Sequence, residues 1–224
     1  HARSIVASGV AAEEAARCDA VELSGPVRLT APMSLGLACL GELLSGFVAQ
    51  HPAVTIDVVL NDAQCDLVAE GIDLALRIGE LGDSSLLSQM IVPVPIAIVA
   101  SPAYLAQHGT PQHPQELTRH RLLGYGHAQR NAPLRFHDGK GERLSITPTG
   151  PLFANNGDVM VPLLLAGQAM ALLPRFIVAA PLADGRLVTV LDPWMHHASA
   201  LHLVTPPSRL RPQRVTALGQ HLVA

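Results

Sequence analysis

The chain has 224 residues, of which 49% are hydrophobic and 15% are charged, and its formal net charge is -3. This composition suits one soluble unit with a sizeable core, or two smaller lobes that share one chain. It argues against strong binding of nucleic acid by this chain, because no basic stripe is present. It also argues against a membrane helix, since no apolar run reaches the roughly 18 residues that spanning requires, and the first residues lack the pattern of a signal peptide.

The apolar periodicity and the turn residues predict strands that alternate with helices. We expect helices over 2–21, from the turn at 32–36 to 50, over 62–70, from 101, over 159–169 and over 212–223. We expect strands over 27–30, 54–60, 73–77, 170–173, 187–191 and 201–204. A β-rich stretch spans 90–100, and strands and turns fall within 121–126 and 134–153. This order indicates an open parallel α/β sheet, whose ligand crevice lies at the carboxyl ends of the strands.

Residues with restricted backbone preferences define several of these boundaries. Ser34 is the expected N-cap of the helix that ends at residue 50, and Gly71 is the expected left-handed C-cap of helix 62–70. Ser101, which a proline follows, is placed to cap the next helix. The stretch 90–100 contains two prolines, which suit a strand that passes from one lobe to another better than a central strand.

The Ala-rich helix over 2–21 has only a thin apolar stripe and would be marginal alone. It is either a frayed terminal helix or the tail of a longer helix. The three cysteines, Cys18, Cys39 and Cys65, form no CxxC pair. We therefore expect reduced thiols in a cytoplasmic protein, with Cys39 and Cys65 as core fillers.

The sequence contains no motif of a known catalytic chemistry. It has no GxSxG elbow, Walker loop, HExxH or dinucleotide fingerprint, so we expect neither catalytic residues nor a cofactor. Asp62 and Asp66 share one face of a predicted helix and could act as an acid–base pair. An exposed acidic helix face explains them more simply.

The histidines raise the question of a metal site. The candidates are His113, His120 and His127, together with the pair His196 and His197. They lie in expected loops without a cysteine or carboxylate at ligand spacing. We therefore expect solvated loop histidines and no metal.

Several stretches, in a fixed order, carry a family resemblance. They are residues 25–36, 47–60, 66–79, 99–105, 155–157 and 167–174. From Gly25 onward the chain resembles the effector-binding domain of LysR-type transcriptional regulators. The resemblance implies an α/β, type 2 periplasmic-binding-protein-like fold, in which two crossover strands join two subdomains that flank a ligand cleft.

The resemblance also implies a domain division. Residues 25–95 and 194–224 would form regulatory subdomain I, and residues 96–193 would form subdomain II. Residues 1–24 would be the end of the linker helix that follows a winged helix-turn-helix in this family. That DNA-binding part is absent from the chain, so DNA would be a partner only through it.

The implied function is a ligand-sensing regulatory domain, not an enzyme, that is cytoplasmic and forms homo-dimers or tetramers. The Ala-rich helix and the apolar helix 36–49 are the expected contact surfaces. A small organic effector, expected to bear a carboxylate, would bind in the cleft. The alternative is an extracytoplasmic solute-binding protein of the same fold, and an enzyme on this fold would be a third reading.

Two helix N-termini are expected to face the cleft, one near Ser34 and one near Asn156. Their backbone N–H groups and partial positive charge would favour a small anion such as a carboxylate. The predicted effector-binding residues are Met33, Ser34, Leu35, Arg77, Ile78, Gly79, Ser101, Tyr125, Asn155 and Asn156. The apolar members of this set would wall the pocket.

The polar members near helix ends have a structural alternative. Ser34 and Ser101 either contact the effector or only cap their helices. Asn155 and Asn156 either orient the effector or cap and turn the chain.

The remaining polar candidates are also ambiguous from sequence. Arg77 pairs either with an acidic effector or with Asp73 or Glu80. Tyr125 either lends a hydroxyl to the effector or is a core or rim residue. Asp158, in the first turn of its helix, offsets part of the positive field there and disfavours strongly anionic effectors.

Overall fold

A computed structural model of the chain describes residues 22–63, 65–79, 86–125, 133–138, 140–195, 199–207 and 210–224. The predicted helix over 2–21, Cys18, Glu80, His127, His196 and His197 lie outside these ranges. The chain divides into two compact units. The first comprises the residues up to Asn61, Cys65–Val92 and Leu201–Ala224, and the second comprises Asp62–Gln64 and Pro93–Ala200.

The first unit is built on a five-stranded mixed sheet. Its strands are β1 (Gly25–Ala31), β2 (Val54–Leu60), β3 (Leu74–Ile78), β4 (Leu87–Pro93) and β12 (Ala200–Thr205), in the order β2-β1-β3-β12-β4. Strand β1 runs parallel to both β2 and β3, and β12 runs antiparallel to β3. The sequence predicted the strands but not the antiparallel return.

The first helix, α1, spans Met33–Gln50 and includes a π-helical segment, Gly36–Leu40. Its N-cap is Pro32, and the N–H of Gly36 already donates to the Pro32 carbonyl at 2.9 Å. The prediction of Ser34 as N-cap is therefore wrong. The chain turns helical at Met33, so Ser34 lies inside the first turn, where its side chain is buried.

Helix α1 is long and apolar enough to cross a membrane by length and composition alone, contrary to the sequence expectation. Core helices of soluble proteins pass the same test, but those are mostly buried, whereas 22% of this helix is buried. Here Leu40, Leu44 and Phe47 are buried. Phe47 also packs against His221, whose Nε2 lies 2.8 Å from the Leu43 carbonyl oxygen on the same helix.

The expected helix over 62–70 is a turn. The Asp66 carboxylate accepts from the N–H groups of Val68 and Ala69, at 3.0 and 3.1 Å. The side chain thus satisfies two backbone donors as a helix N-cap does, and a single turn follows, in which the N–H of Glu70 donates to the Asp66 carbonyl at 3.0 Å. Gly71, with φ +65, has the predicted left-handed conformation. The proposed Asp62–Asp66 pair on one helix face is therefore not formed.

The second unit has a five-stranded mixed sheet of its own. Its strands are β5 (Ile96–Ala100), β6 (Leu122–Tyr125), β9 (Phe153–Ala154), β10 (Met170–Pro174) and β11 (Val188–Val190), in the order β11-β5-β10-β6-β9. Strand β10 is parallel to β6 and antiparallel to β5. Strands β7 (Leu134–His137) and β8 (Arg143–Ile146) form a separate antiparallel pair.

Several helices accompany the two sheets. Helices α2 (Pro102–His108), α3 (Val161–Leu165) and α4 (Ala179–Ala183) belong to the second unit, and α5 (Gln213–Val223) belongs to the first. The helix predicted over 159–169 is shorter than expected. It consists of a 3-10 turn, Asp158–Met160, followed by α3.

The chain passes between the units at 92/93 and returns at 200/201, where the resemblance implied 95/96 and 193/194. The β-rich stretch 90–100 is two strands that belong to different sheets, β4 and β5. The interruption falls at Val94 and Pro95, as a proline in this position favours. Before the return, Trp194 and Met195 pack against the buried cluster of the second unit.

A buried polar pair lies in the core of the second unit. Tyr104, on α2, has no exposed surface, and His120 is 8% exposed. The Tyr104 hydroxyl accepts from the N–H of Arg121 at 3.0 Å and lies 3.3 Å from Nδ1 of His120. His108 stacks on the Tyr104 ring, with the ring centroids 4.4 Å apart.

This pair predicts a pH-dependent stability. Burial, and then the charge of His108, lower the pKa of His120 from its ordinary value of 6.5, and Glu116 opposes part of this effect. The unfolded chain therefore binds more protons between the lowered pKa and 6.5. The free energy of unfolding should fall as the pH decreases through this window, and it should fall less in His120→Gln. Urea titrations at about pH 7.5 and about pH 5 measure the free energy of unfolding of the original chain and of His120→Gln. An equal pH dependence in both would contradict the assignment to His120.

Candidate functional site

The predicted residues of the first unit meet at one edge of its sheet. Met33, Ser34 and Leu35 follow β1, and Arg77, Ile78 and Gly79 lie at the end of β3. Strands β1 and β3 are parallel neighbours, so their carboxyl ends lie side by side, as in the ligand crevices of α/β sheets. Met33 is 41% exposed, whereas Ser34 and Leu35 are 7% and 8% exposed.

Arg77 is the one half-buried cation at this edge among the residues that the structure describes. Its guanidinium donates to the Leu76 carbonyl at 3.0 Å, to Thr30 Oγ1 at 3.5 Å and to Cys65 Sγ at 3.3 Å. Within the described ranges no carboxylate forms an ion pair with it. Asp73, one of its proposed partners, instead accepts from the N–H of Arg28 at 2.8 Å.

Three neighbours of Arg77 were not predicted from the sequence. Thr30 is completely buried, and Cys65 packs against an apolar cluster while its sulfur touches the guanidinium. His202 is the cross-strand partner of Arg77. Its buried Nδ1 has no hydrogen-bond partner among the described residues, which is uncommon for a buried polar atom. These contacts join distant parts of the chain, so no local sequence signal reveals them.

The predicted residues of the second unit form a polar group around Asn156. Its Nδ2 donates to Asp62 Oδ2 at 2.9 Å, and its Oδ1 accepts from the N–H of Asp158 at 2.9 Å. Asn156 therefore caps the turn and also binds Asp62, which the sequence did not predict. Asn155 is exposed.

Tyr125 lies within the electrostatic influence of the same carboxylates. Burial, and then the charges of Asp62 and Asp158, raise the pKa of Tyr125 to about 12. Its hydroxyl therefore stays protonated near neutral pH and can donate a hydrogen bond.

The predicted anion-binding helix end near Asn156 is not realised as expected. The helix there is short and starts with a 3-10 turn. The Asn156 side chain already occupies the Asp158 N–H. Two carboxylates, Asp62 and Asp158, add negative charge where a positive field was expected.

Ser101 is the N-cap of α2. Its hydroxyl accepts from the N–H of Tyr104 at 3.2 Å, and it is 3% exposed. Gly167 lies alongside, where an added Cβ would be 3.4 Å from Ser101 Oγ. Capping therefore accounts for this hydroxyl.

The described histidines of the metal hypothesis have other roles. His113 Nδ1 accepts from the N–H of Gln115 at 3.4 Å, and its ring meets Trp194 edge-on. His120 is buried beside Tyr104. Neither is the solvated loop residue that we expected. Among the described residues no group of three or more histidine, cysteine or acidic side chains could hold a metal.

Comparison with known proteins assigns the chain to a family. The LysR substrate binding domain family matches residues 20–224. The chain belongs to this family. An HTH-type transcriptional regulator of Haemophilus influenzae is 34% identical to this LysR substrate-binding domain over 201 residues, which are 88% of the chain and 68% of that protein. PtxR, an HTH-type transcriptional regulator of Pseudomonas aeruginosa, is 33% identical over 202 residues, 90% of the chain and 64% of that protein.

A solved structure supports the same conclusion for the fold. The regulatory domain of AphB from Vibrio vulnificus has a TM-score of 0.73 and 27% identity, and the match covers 89% of this chain and 98% of that domain. The predicted type 2 periplasmic-binding-protein-like fold, with two α/β subdomains, is thereby confirmed. The relatives are transcriptional regulators, and the chain spans about two thirds of their length.

The capping role of Ser101 can be measured. Ser101→Ala removes the acceptor for the Tyr104 N–H and should lower the free energy of unfolding by about 1 kcal/mol. Ser101→Gly should lower it by only about a few tenths of a kcal/mol. Urea titration of both variants checks this. A larger loss in Ser101→Gly than in Ser101→Ala would show that side-chain volume, and not the cap, is what the site requires.

Proposed function

We propose that this LysR substrate-binding domain senses a small organic carboxylate and transmits its binding to DNA-binding heads that lie outside the chain. The observation that carries the proposal is Arg77, a half-buried guanidinium with no carboxylate partner among the described residues. A buried or half-buried charge is costly unless a counter-charge or hydrogen bonds compensate it. Hydrogen bonds to Leu76, Thr30 and Cys65 already compensate part of the charge. An effector carboxylate would add the counter-charge, in bidentate geometry if both oxygens are available.

Other groups at the same edge support a polar ligand. The Nδ1 of His202, which has no hydrogen-bond partner among the described residues, lies on the strand beside Arg77, and a ligand atom or a water would satisfy it. The buried Ser34 is near the start of α1, where the positive end of the helix dipole favours an anion. Met33, Leu35 and Ile78 would provide the apolar surface that small-molecule sites usually contain.

The charges of the second unit favour an effector with one carboxylate over an effector with several. Asp62 and Asp158 surround Asn156 and Tyr125, so a further anionic group would be repelled there. The protonated hydroxyl of Tyr125 would instead suit an uncharged acceptor. We therefore propose a monocarboxylate with a neutral polar group. Its position in a cleft between subdomains stays a prediction from the family resemblance.

The other functional classes are less favoured. An extracytoplasmic solute-binding protein of this fold would not explain relatives that are transcriptional regulators. The same relatives favour a regulator over an enzyme. They also favour a cytoplasmic location, because regulators that bind DNA in bacteria typically act in the cytoplasm. For a ligand to switch such a regulator, it must bind one conformation more tightly than another.

Arg77 provides the direct test of the effector site. A thermal-shift panel of small monocarboxylates, dicarboxylates and their neutral amides should find a monocarboxylate that stabilises the chain by about 2.7 kcal/mol at a hundred times its Kd. Arg77→Gln should weaken this ligand at least about tenfold, because a hydrogen bond to a charged group contributes about 1.5–3 kcal/mol. Ser34→Ala should weaken it less.

The matched control is Arg28→Gln. Arg28 is exposed and already pairs with Asp57 at 3.3 Å, so its loss should leave the ligand's Kd unchanged. A validated monocarboxylate that binds Arg77→Gln as tightly as the original chain would refute the proposed site. Tighter binding of dicarboxylates would refute the inference from Asp62 and Asp158.

We also propose that α1 contributes to a homo-oligomer. Its apolar side chains Leu37, Leu43 and Val48 are 73%, 42% and 47% exposed. Exposed apolar side chains grouped on one helix mark interaction surfaces more often than isolated ones do. The Ala-rich segment 2–21, the other expected contact surface, lies outside the described residues.

Leu37→Glu tests the contribution of α1. A charge at the centre of an apolar interface should shift the chain from dimer or tetramer towards monomer, whereas the fold should persist because Leu37 is exposed. Sedimentation velocity measures the species. The control is Val68→Glu, at a position that is 66% exposed and lies outside α1. An unchanged distribution in Leu37→Glu, or an equal shift in both variants, would exclude α1 as the contact.

A further inference from the structure

The first unit contains a groove on the sheet face opposite Arg77. Its volume is about 390 Å³, and Leu74, Leu203 and Val215 are among its lining residues. Side chains alternate between the two faces of a strand, so Leu74 and Arg77, three positions apart on β3, point to opposite faces. We call this the α5 groove, because α5 supplies more of its lining than any other element. Strands β3, β4 and β12 contribute one residue each, and Arg211 and Ala224 flank the helix.

The lining of the α5 groove combines an apolar floor with a polar rim. Leu74, Leu203 and Val215 are 1%, 7% and 1% exposed and form the floor. The polar side chains of Gln89 and Thr216 lie on the rim. Ligand sites typically have about 300–1,000 Å³ and a few placed polar groups, and a cavity of roughly 150 Å³ holds a benzene molecule. The groove therefore has room for a ring or for a short alkyl chain.

Arg211 places a positive charge in this groove. Its Nη2 donates to Thr205 Oγ1 at 2.6 Å and to the Pro206 carbonyl at 3.3 Å, which fixes the guanidinium. In the part of the chain that the structure describes, no carboxylate forms an ion pair with it. Arg211 also precedes the first residue of α5, so the positive end of the helix dipole lies at the same end of the groove.

We propose that the α5 groove is a second ligand site, for a small amphiphilic monoanion. A carboxylate would bind Arg211, and an aliphatic or aromatic body would lie on Leu74, Leu203 and Val215. Charge complementarity at one end and apolar surface along the floor select this class over a neutral apolar molecule or a polyanion. The site is distinct from the effector site at Arg77, since the two lie on opposite faces of the sheet.

The test uses hexanoate and its uncharged counterpart 1-hexanol, with the whole chain in ¹H–¹⁵N correlation spectra. Hexanoate should shift the amide signals of Thr216 and Gly219 in a saturable manner, with a Kd on the order of 1 mM. Hexanol should bind at least about tenfold more weakly, which corresponds to about 1.4 kcal/mol.

Four variants separate the possible outcomes. Arg211→Gln should reduce hexanoate binding to the level of hexanol, and Thr216→Trp, at an exposed rim position, should block both probes without a change in charge. Arg214→Gln is the matched control, because Arg214 lies on the same helix but donates to the Pro26 carbonyl, outside the groove; it should bind hexanoate normally. Arg77→Gln should also bind normally.

The proposal is overturned by any of three results. Hexanoate shifts that vanish in Arg77→Gln and persist in Arg211→Gln would place the probe at the effector site. Equal affinity for hexanoate and hexanol would remove the role of Arg211. Linear, non-saturable shifts would show that the groove holds no site.

Discussion

The antiparallel pairing of β12 with β3 is the interaction on which the rest of the structure depends. It returns the chain to the first sheet after the second unit is complete and aligns His202 with Arg77. The loop-closure entropy of such a distant pairing is large only while the intervening chain is disordered. Here the second unit has its own core, and the N–H of Val94 donates to the Ser199 carbonyl at 2.7 Å. In the folded chain the two ends of the inserted unit are therefore adjacent.

The same strand pairing gives the first sheet two different faces. Because neighbouring residues of β12 point in opposite directions, His202 lies with Arg77 on one face and Leu203 lies in the α5 groove on the other. One strand therefore contributes to both proposed sites. A ligand on either face would act on the strand by which the second unit is joined to the first, and such an element can couple two binding events if it has two arrangements.

Charge is distributed unevenly between the candidate residues of the two units. The first unit presents Arg77, while the second presents Asp62 and Asp158 around the protonated Tyr125. A composition with a net charge of only -3 gives no hint of this separation. The local pattern, and not the total charge, is what restricts the chemistry of an effector.

The sequence alone determined the features that depend on neighbouring residues. Strand β2 was predicted with the observed bounds, since β-branched apolar runs favour a strand. The cap at Ser101 and the left-handed Gly71 follow from local backbone preferences. The family resemblance, carried by ordered stretches of sequence, gave the fold class. Arg77 was named as a site residue because it lies at the end of a strand.

Only the tertiary structure decided which distant groups meet. Asn156 has its hydrogen-bond partner, Asp62, far along the chain. The burial of His120 against Tyr104, and of His202 Nδ1 without a partner in the described part of the chain, likewise depend on contacts between separate elements. Periodicity and spacing report the conformation of a segment, whereas desolvation and hydrogen-bond partners are set by the segments packed against it. The order of elements could therefore be derived from the sequence, and the electrostatics of the candidate sites could not.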